Sequence, residues 1–331
     1  LFPACESFWL YRKREIFKRE IKWSTIELRM PREVNKSPQA MEQVLAAIHT
    51  LRDSATSFQE KYIDGEVMRW FSLEMVSFGG EVHFYKRTPA KYRDIIEDAF
   101  FSYYPDVEVV EVKDYAEELP SSVAELQNRG LDLWGTELAL TKEAAYPIRT
   151  YSHFENAKED QKMDPISAFL EIMGKIKKEE TLAMQILIIP GPLNWKDAWA
   201  KVVEELQRPP TIKTKTDMGF SEVPIGRSPG RSKILEAVEN NLSKPAFETT
   251  IRVMYLSPRT IFSESFVRRG LVAAFNQYAA VDLNSFKPNR PTNTYPQLKS
   301  LSQKNSQSLN RIRRERILFN YRQRQILGET V

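Results

Sequence analysis

Apolar and polar residues follow two different periods near the start of the chain. In the stretch IELRMP (26–31), apolar residues take every second position, which is the period of a strand with one solvated face. Pro31 cannot donate to a strand ladder, and after it apolar residues recur at helical spacing over 41–51. The pattern predicts a strand and then a helix, with Ser37 as the N-terminal cap and Pro38 in the first turn.

Two further alternating runs, EVMRWFSLEMVSF and EVHFYKR, flank Gly79 and Gly80. Tight hairpin turns need residues that accept positive φ, and two glycines meet this need. The helical stretch PAKYRDIIEDAFFSYYP and the β-branched strand DVEVVEVKDY follow. The order β-α-β-β-α-β over residues 23–115 predicts a ferredoxin-like module, in which two helices cover one face of an antiparallel sheet.

The same order recurs after a predicted linker over 116–130. LDLWGTELALTK and YPIRTYSHF have strand patterns, and a capped helix begins at Asp164 and Pro165. TLAMQILIIPGP and AFETTIRVMYL are strands, a last helix runs from about Ile261 to Tyr278, and VDLNSFKP can return to the sheet. With an insertion over 194–244 set aside, residues 131–288 predict a second module of the same kind. The chain is therefore predicted to have an α+β fold of two tandem ferredoxin-like modules with antiparallel sheets.

The predicted insertion begins with the amphipathic helix NWKDAWAKVVEELQ. A stretch rich in Pro, Gly, Lys and Thr follows from Arg208 to Gly230 and predicts a long mobile loop. A short helix from Arg231 to Asn241 is expected to close the insertion.

Residues 289–331 differ in composition from both modules. NRPTNTYPQLKSLSQKNSQ (289–307) has few apolar residues and predicts an extended, loosely packed linker. From about Ser308 to Gly328, an arginine-rich helix is predicted to dock through an apolar set: Ile312, Ile317, Leu318, Phe319 and Ile326. Its arginines are candidate contacts to a protein partner or to nucleic acid: Arg311, Arg313, Arg314, Arg316, Arg322 and Arg324.

Residues 1–22 pass from aromatic to basic in the stretch LFPACESFWLYRKREIFKR. Aromatic residues followed by cations are typical of the point where a membrane helix emerges on the cytoplasmic side. A solvated amphipathic helix packed on its own domain is the alternative interpretation. The candidate membrane-proximal residues are Phe8, Trp9, Arg12, Lys13 and Arg14.

Composition excludes some classes of protein. The chain has 331 residues, 42% hydrophobic and 28% charged, which is a globular balance with room for about two domains. A formal net charge of +4 is too small to indicate a nucleic-acid partner by itself. Cys5 is the single cysteine, which excludes an internal disulfide framework and fits a reducing compartment.

No catalytic constellation is recognisable in the sequence. The patterns GxxxxGK[ST], HExxH and CxxC are absent, and GxSxG occurs once, as GRSPG at 226–230, with His153 as the nearest histidine in the sequence. His49, His83 and His153 lack a second ligand at metal spacing. Phe84 and Tyr85 would lie on opposite faces of a strand, so the stacking signature of RNA-binding sheets is missing. We expect no cofactor, no metal site and no enzyme activity of this segment; a dispersed active site is the alternative.

Several blocks together resemble one bacterial family. ELRMPREVNKSPQAMEQVLAAIH, LWGTELALTK, YPIRTYSHFE, DPISAFLEIMGKI and EETLAMQILIIPGP resemble, in the same order, an uncharacterised module of candidate-phyla-radiation bacterial proteins. In that family the module lies between transmembrane helices and a motor domain similar to conjugative DNA-transfer and type IV secretion ATPases. The resemblance runs from about Trp23 to the arginine-rich tail, and its motifs are structural.

The resemblance implies a non-catalytic domain on the cytoplasmic face of the bacterial inner membrane, between an anchor before Leu1 and an ATPase after Val331. Its role would be assembly, positioning or substrate gating. Expected partners are the membrane, the ATPase domain and neighbouring subunits of a homo-oligomer, and DNA is a further candidate. The alternative function is a stand-alone nucleic-acid-binding protein that acts through the basic tail. For the tail we favour a protein surface, because Glu315 and apolar residues interrupt its arginines.

Overall fold

The computed structural model describes residues 2–31, 38–55, 57–155, 164–209, 211–216, 219–224, 226, 228–289, 292–294 and 303–326. Its strands are β1 Trp23–Arg29, β2 Phe71–Phe78, β3 Glu81–Pro89, β4 Glu108–Val112, β5 Leu131–Leu140, β6 Thr181–Pro190, β7 Thr211–Thr216, β8 Gly219–Pro224, β9 Phe247–Pro258 and β10 Phe286–Pro288. Its α-helices are α1 Phe2–Glu20, α2 Gln39–Thr50, α3 Arg93–Tyr103, α4 Val123–Asn128, α5 Tyr151–Glu155, α6 Pro165–Gly174, α7 Ala200–Gln207, α8 Pro229–Leu242, α9 Glu264–Asn276 and α10 Gln303–Gln323.

The main sheet has the strand order β10-β5-β9-β6-β2-β3-β1-β4, and all its pairs are antiparallel. The predicted hairpin between β2 and β3 is confirmed, with φ of +61° at Gly79 and +98° at Gly80. Strands from residues 23–115 fill one half of the sheet, and strands from 131–288 fill the other. The halves are joined where β2 pairs with β6, a junction that the sequence patterns did not predict.

One face of the sheet is covered by four helices, α2 and α3 over one half and α6 and α9 over the other. Their apolar stripes pack on alternate strand residues such as Ile26, Phe71 and Leu182, as the two-residue period requires. The buried side chains of these helices include Val44, Ile48, Ile96, Phe100, Phe169, Met173, Val267, Leu271, Ala274 and Phe275. This layer holds two of the buried apolar clusters of the domain.

The helix caps were predicted with mixed success. The Asp164 carboxylate accepts a hydrogen bond from the Ile166 amide at 3.1 Å, and Pro165 occupies the first turn of α6, so this prediction is confirmed. Helix α2 begins after Pro38, whose side chain makes no cap. Ser37, the predicted cap of α2, lies outside the described residues.

The opposite face of the sheet is covered by α10, by α4 and by a short turn at Tyr115–Glu117. Leu126 of α4 and Ile317 of α10 are fully buried against strand residues such as Val76 and Leu133. Residues 116–130, predicted as a linker, therefore contribute α4 to this layer. Both faces of the sheet are occupied, one by apolar helices and one by the C-terminal helix.

Three local predictions are wrong. YPIRTYSHF forms an irregular segment and α5 because its backbone bonds to loop residues, with the Arg149 amide donating to the Tyr278 carbonyl at 2.9 Å. The predicted loop from Arg208 to Gly230 contains the hairpin β7–β8. The predicted loose linker after Pro288 is buried at Asn289 and at residues 292–294, where Thr292 and Thr294 accept from β5 amides. The return of VDLNSFKP to the sheet as β10 is confirmed.

Candidate interaction sites at the terminal helices

A row of polar side chains crosses the centre of the sheet beneath α10. Glu137 of β5, Arg252 of β9, Gln185 of β6 and Glu74 of β2 are neighbours in register, and all are buried. We call these four residues the polar row. Arg252 Nη2 lies 2.6 Å from Glu137 Oε1 and its Nη1 donates to Gln185 Oε1 at 2.8 Å, while Gln185 Nε2 donates to Glu74 Oε1 at 3.2 Å. The groups thus satisfy one another, as buried polar groups must.

The C-terminal end of α10 completes the polar row with backbone carbonyls. Arg252 donates to the carbonyls of Asn320 at 3.0 Å and Gln325 at 2.8 Å, and Gln185 donates to the carbonyl of Tyr321 at 3.2 Å. The last carbonyls of a helix have no partner within the helix and carry partial negative charge. A buried guanidinium is therefore well placed to bind them, and it fixes where α10 ends on the sheet.

Arg324 closes α10 in a conformation that is unusual for arginine. Its φ is +48°, and its amide donates to the Tyr321 carbonyl at 3.2 Å while the Gln325 amide donates to the Asn320 carbonyl at 3.1 Å. This pair of bonds is a Schellman motif, in which the left-handed position is usually glycine. Backbone strain of about 1 kcal/mol is expected for a residue with a side chain at this position. Contacts of the Arg324 side chain are therefore needed to offset it.

The Arg324 guanidinium bridges two carboxylates in the interior. It donates to Glu74 at 3.0 and 3.2 Å and to Asp114 at 2.6 and 2.7 Å. Burial raises the pKa of Glu74, but the charge and hydrogen bonds of Arg324 outweigh it and hold the pKa below its usual value. The Tyr115 hydroxyl also donates to Glu74 and lies 2.5 Å from the Tyr321 hydroxyl. Glu74 thus connects the polar row with Arg324 and the two tyrosines.

The structure separates the six candidate arginines of α10 into two groups. Arg324 is buried, and three more bind groups of the domain: Arg313 with the Asn293 carbonyl at 3.1 Å, Arg314 with the Asp132 carboxylate at 2.5 Å, and Arg322 with the Ala116 carbonyl at 3.2 Å. Arg311 and Arg316 are exposed. These two remain the arginines of α10 best placed for an external partner.

The apolar residues of α10 lie on two different sides of the helix. Ile317 and Leu318 are fully buried, which confirms their predicted docking. Ile312 is 57% exposed and Phe319 is 48% exposed, so the prediction that they dock is wrong. Positions seven apart share one side of a helix, and this side faces away from the sheet.

Helix α1 holds the candidate membrane-proximal residues and exposes most of them. Phe8, Arg12 and Arg14 are exposed, Lys13 is half-buried, and Trp9 is 56% exposed. Their helix leads directly into β1. The aromatic and basic side chains of α1 therefore form a surface rather than part of a core.

A segment between α2 and β2 holds α1 in place. The Trp9 indole Nε1 donates to the Tyr62 carbonyl at 3.1 Å, and the Arg69 guanidinium lies 5.4 Å from the centre of the Phe17 ring. Gly65, with φ of +70°, packs so closely that a Cβ there would lie 2.5 Å from the carbonyl carbon of Lys13. The helix is attached along one narrow seam.

This segment adds apolar residues that sequence reasoning missed. We call residues 58–63 the 58–63 segment. It contains most of a π-helical turn at Gln59–Asp64. Phe58 is 72% exposed and Ile63 is 51% exposed, and Phe58 stacks on Tyr62 with ring centres 4.7 Å apart. The bond from Trp9 to the Tyr62 carbonyl places this segment beside the exposed Trp9 ring of α1. The stretch SFQEKYI has no helical or strand period, so its apolar and aromatic residues were the only signal in the sequence.

The polar row was not predicted from the sequence either, although two polar residues within apolar strands indicate it. Gln185 interrupts the apolar run LAMQILIIP, and Arg252 interrupts TIRVMYL. A lone polar residue inside a buried strand needs a partner in the interior. Two such interruptions in strands of one sheet indicate a buried network.

The three histidines lie in different surroundings. His83 Nδ1 lies 2.6 Å from Glu27 Oε1, His49 is buried with its ring edge-on to Phe247, and His153 is exposed on α5. Among the residues that the structure describes, no group of three His, Cys, Asp or Glu side chains is placed to hold a metal ion. Within the same residues, no helix combines the length and apolar character needed to cross a bilayer.

Comparison with known proteins adds one finding. A protein-family profile described as "Domain of unknown function (DUF8128)" matches residues 11–306. The matched range contains the ten strands given above and helices α2 to α9, and it ends within α10. No curated protein matches the chain.

Proposed function

Because the chain belongs to the DUF8128 family, whose function is unknown, we propose a function from its surfaces: a non-catalytic, membrane-proximal positioning domain. The observation that carries the proposal is the exposed aromatic and basic surface of α1. Aromatic rings with a polar edge favour the headgroup level of a bilayer, and neighbouring cations are attracted to anionic lipid. A helix of this kind lies on a membrane rather than across it.

We further propose that the domain consists of two tandem ferredoxin-like modules. The strand orders β4-β1-β3-β2 and β10-β5-β9-β6 are the order of a ferredoxin-like module, and each half carries two helices on the same face. This supports two tandem modules fused into one sheet. Eight strands at a spacing of about 4.8 Å span roughly 34 Å, which suits a rigid platform that holds a partner at a set distance from the membrane.

The wider setting rests on the sequence resemblance described above. It supports a place on the cytoplasmic face of the bacterial inner membrane, beside a conjugation- or type IV secretion-like DNA-translocation ATPase. For α10 we favour contact with that ATPase or with neighbouring subunits over contact with DNA. Most of its arginines bind the domain itself, and Glu315 accepts a hydrogen bond from the Val123 amide at 2.9 Å, which leaves a small basic surface for phosphates.

The proposal is tested by flotation of the 331-residue chain with vesicles. We expect it to float with vesicles of phosphatidylcholine and phosphatidylserine and to float poorly with phosphatidylcholine alone. Replacing Arg12, Lys13 and Arg14 by Glu should abolish flotation, because each cation near anionic lipid contributes about 1 kcal/mol. The matched control is Arg311→Glu with Arg316→Glu, which changes exposed charge elsewhere and should leave flotation intact. Absence of flotation by the unaltered chain would overturn the proposal.

Catalysis is tested separately. We expect no ATP hydrolysis by the purified chain, since the phosphate-binding pattern GxxxxGK[ST] is absent from its sequence. Turnover is measured against a buffer blank and after each purification step. Turnover that stays in constant ratio to the chain through purification would contradict a non-catalytic role.

A further inference from the structure

The 58–63 segment exposes apolar side chains to solvent. Phe58 and Ile63 are both more than half exposed. Phe58 stacks on Tyr62, whose carbonyl accepts from the exposed Trp9 of α1. Exposed apolar side chains are unremarkable singly, whereas a contiguous set bordered by polar residues marks an interaction surface. The charge and hydrogen bonding around the set indicate which partner it fits.

The hydrogen bond between Trp9 and Tyr62 prepares the tryptophan ring for an apolar environment. An indole N–H without a partner is costly to bury in hydrocarbon. The Trp9 N–H is already bound to the Tyr62 carbonyl at 3.1 Å, so the ring can leave water without losing a hydrogen bond. The same bond ties α1 to the 58–63 segment at the Trp9 ring.

Cations lie over the rings of both elements. Lys13 Nζ is 5.4 Å from the centre of a Trp9 ring, and Lys61 Nζ is 5.2 Å from the centre of the Tyr62 ring. Ammonium groups at the level of aromatic rings match the layered chemistry of a bilayer interface, where anionic headgroups lie above the acyl chains. Glu60 and Asp64 balance Lys61 within the turn itself, so the attraction to an anionic lipid surface comes mainly from the neighbouring cations of α1.

We propose that the 58–63 segment is a second membrane-insertion element, so that the chain docks on anionic lipid through two elements at once. The inference rests on the proposed function and deepens it, because it adds a contact outside α1. Phe58 and Ile63 enter the acyl-chain boundary while Lys61 stays among the headgroups. Two attached contacts bind more tightly than either alone, since the second forms at high effective concentration, and together they set the tilt of the sheet relative to the membrane.

The experiment compares two double substitutions of exposed apolar residues in the 331-residue chain. Phe58→Ala with Ile63→Ala should lower partitioning onto phosphatidylcholine–phosphatidylserine vesicles by about tenfold or more, because most of the apolar area of the segment is removed. The matched control is Leu193→Ala with Val281→Ala, two exposed apolar residues elsewhere, which should leave partitioning unchanged. Thermal unfolding of both variants should match the unaltered chain.

A second readout reports insertion directly. In Phe58→Trp, the added tryptophan emission should be quenched by lipids with brominated acyl chains, whereas that of Leu193→Trp should not. If the unaltered chain fails to bind vesicles, the proposed function itself fails. If it binds but the alanine pair binds equally well and Phe58→Trp is not quenched, the second insertion element is overturned while the membrane role of α1 stands.

Discussion

Helices α1 and α10 are both rich in arginine and lysine, yet they meet the domain in opposite ways. Helix α1 contacts it along one seam and exposes rings such as Phe8 and Trp9. Helix α10 buries Ile317, Leu318 and Tyr321 and ends on the polar row. One basic helix is a surface, and the other is part of the interior.

The difference lies in what each helix faces. Arg324 of α10 meets Glu74, which is 250 positions earlier in the chain, and Asp114, so its charge is matched where water is excluded. The cations Arg12 and Arg14 of α1 face solvent. The number of basic residues in a helix therefore does not predict its role, because the acceptors that decide it are distant in sequence.

The largest effect should come from removing the Arg324 side chain. Arg324→Met leaves the buried Glu74 carboxylate without its cation and should lower the free energy of unfolding by about 3–5 kcal/mol, measured by urea denaturation. The control Arg311→Met changes an exposed arginine of the same helix and should cost less than about 0.5 kcal/mol.

A second substitution makes this test specific to the pair. Adding Glu74→Met to Arg324→Met removes the unpaired carboxylate and should recover part of the lost stability, because two apolar groups tolerate burial. A loss below about 1 kcal/mol for Arg324→Met alone would show that this ion pair does not hold α10.

The next effect concerns the apolar contact of α10. Ile317→Ala should lower the free energy of unfolding by about 2–4 kcal/mol, since it opens a cavity under a fully buried side chain. Ile312→Ala, at an exposed position of the same helix, should change it by less than about 0.5 kcal/mol. If both substitutions lower the free energy of unfolding equally in urea denaturation, α10 must face the sheet with a different side.

Acid should weaken the attachment of α10. The pKa of Glu74 in the folded chain is held below its model-compound value of 4.5, so its ion pair contributes stability above about pH 4.5 and loses it as pH falls through the folded pKa. The stability gap between the unaltered chain and Arg324→Met should therefore shrink as pH falls toward the folded pKa of the unaltered chain, by up to about 1.4 kcal/mol per pH unit. The penalty of Ile317→Ala should show no such trend in urea titrations at several pH values.

The smallest effect tests the seam that holds α1. Gly65 and Gly130 share a φ of +70°, but only Gly65 packs against another segment, whereas the space beside Gly130 is open. Alanine at either site should cost about 1 kcal/mol of backbone strain. Gly65→Ala alone should also release α1, seen as faster tryptic cleavage within residues 12–19. Similar cleavage in both variants would argue against the Gly65 contact.

Much of the fold could be predicted from local patterns, because they act over short distances. Periods of two and 3.6 residues identified most strands and helices, and the caps at Asp164 and the glycines at Gly79 depend on adjacent residues. The joining of β2 to β6 depends on which edges remain open after folding, and no local pattern encodes it. YPIRTYSHF illustrates the same limit, since its strand pattern is overridden by backbone bonds to a later loop.

The candidate sites were harder to predict than the fold. Phe8, Trp9 and the cations after them were identified from their types alone, but Phe58 and Ile63 join them only through a tertiary contact. Arginines of α10 were expected to face outward, whereas Arg324 turns inward. Its destination depends on Glu74 and on a helix end that no sequence window contains.

The pairing of β2 with β6 joins the corresponding edge strands of the two halves in antiparallel fashion. Antiparallel pairing of two edge strands is also how two subunits meet in a two-fold symmetric contact. Each half conceals the edge that the other leaves open. An isolated half would expose an eight-residue strand at Phe71–Phe78 or its counterpart Thr181–Pro190, and open edges of this length promote aggregation. Neither half is therefore expected to persist as a monomer without the other.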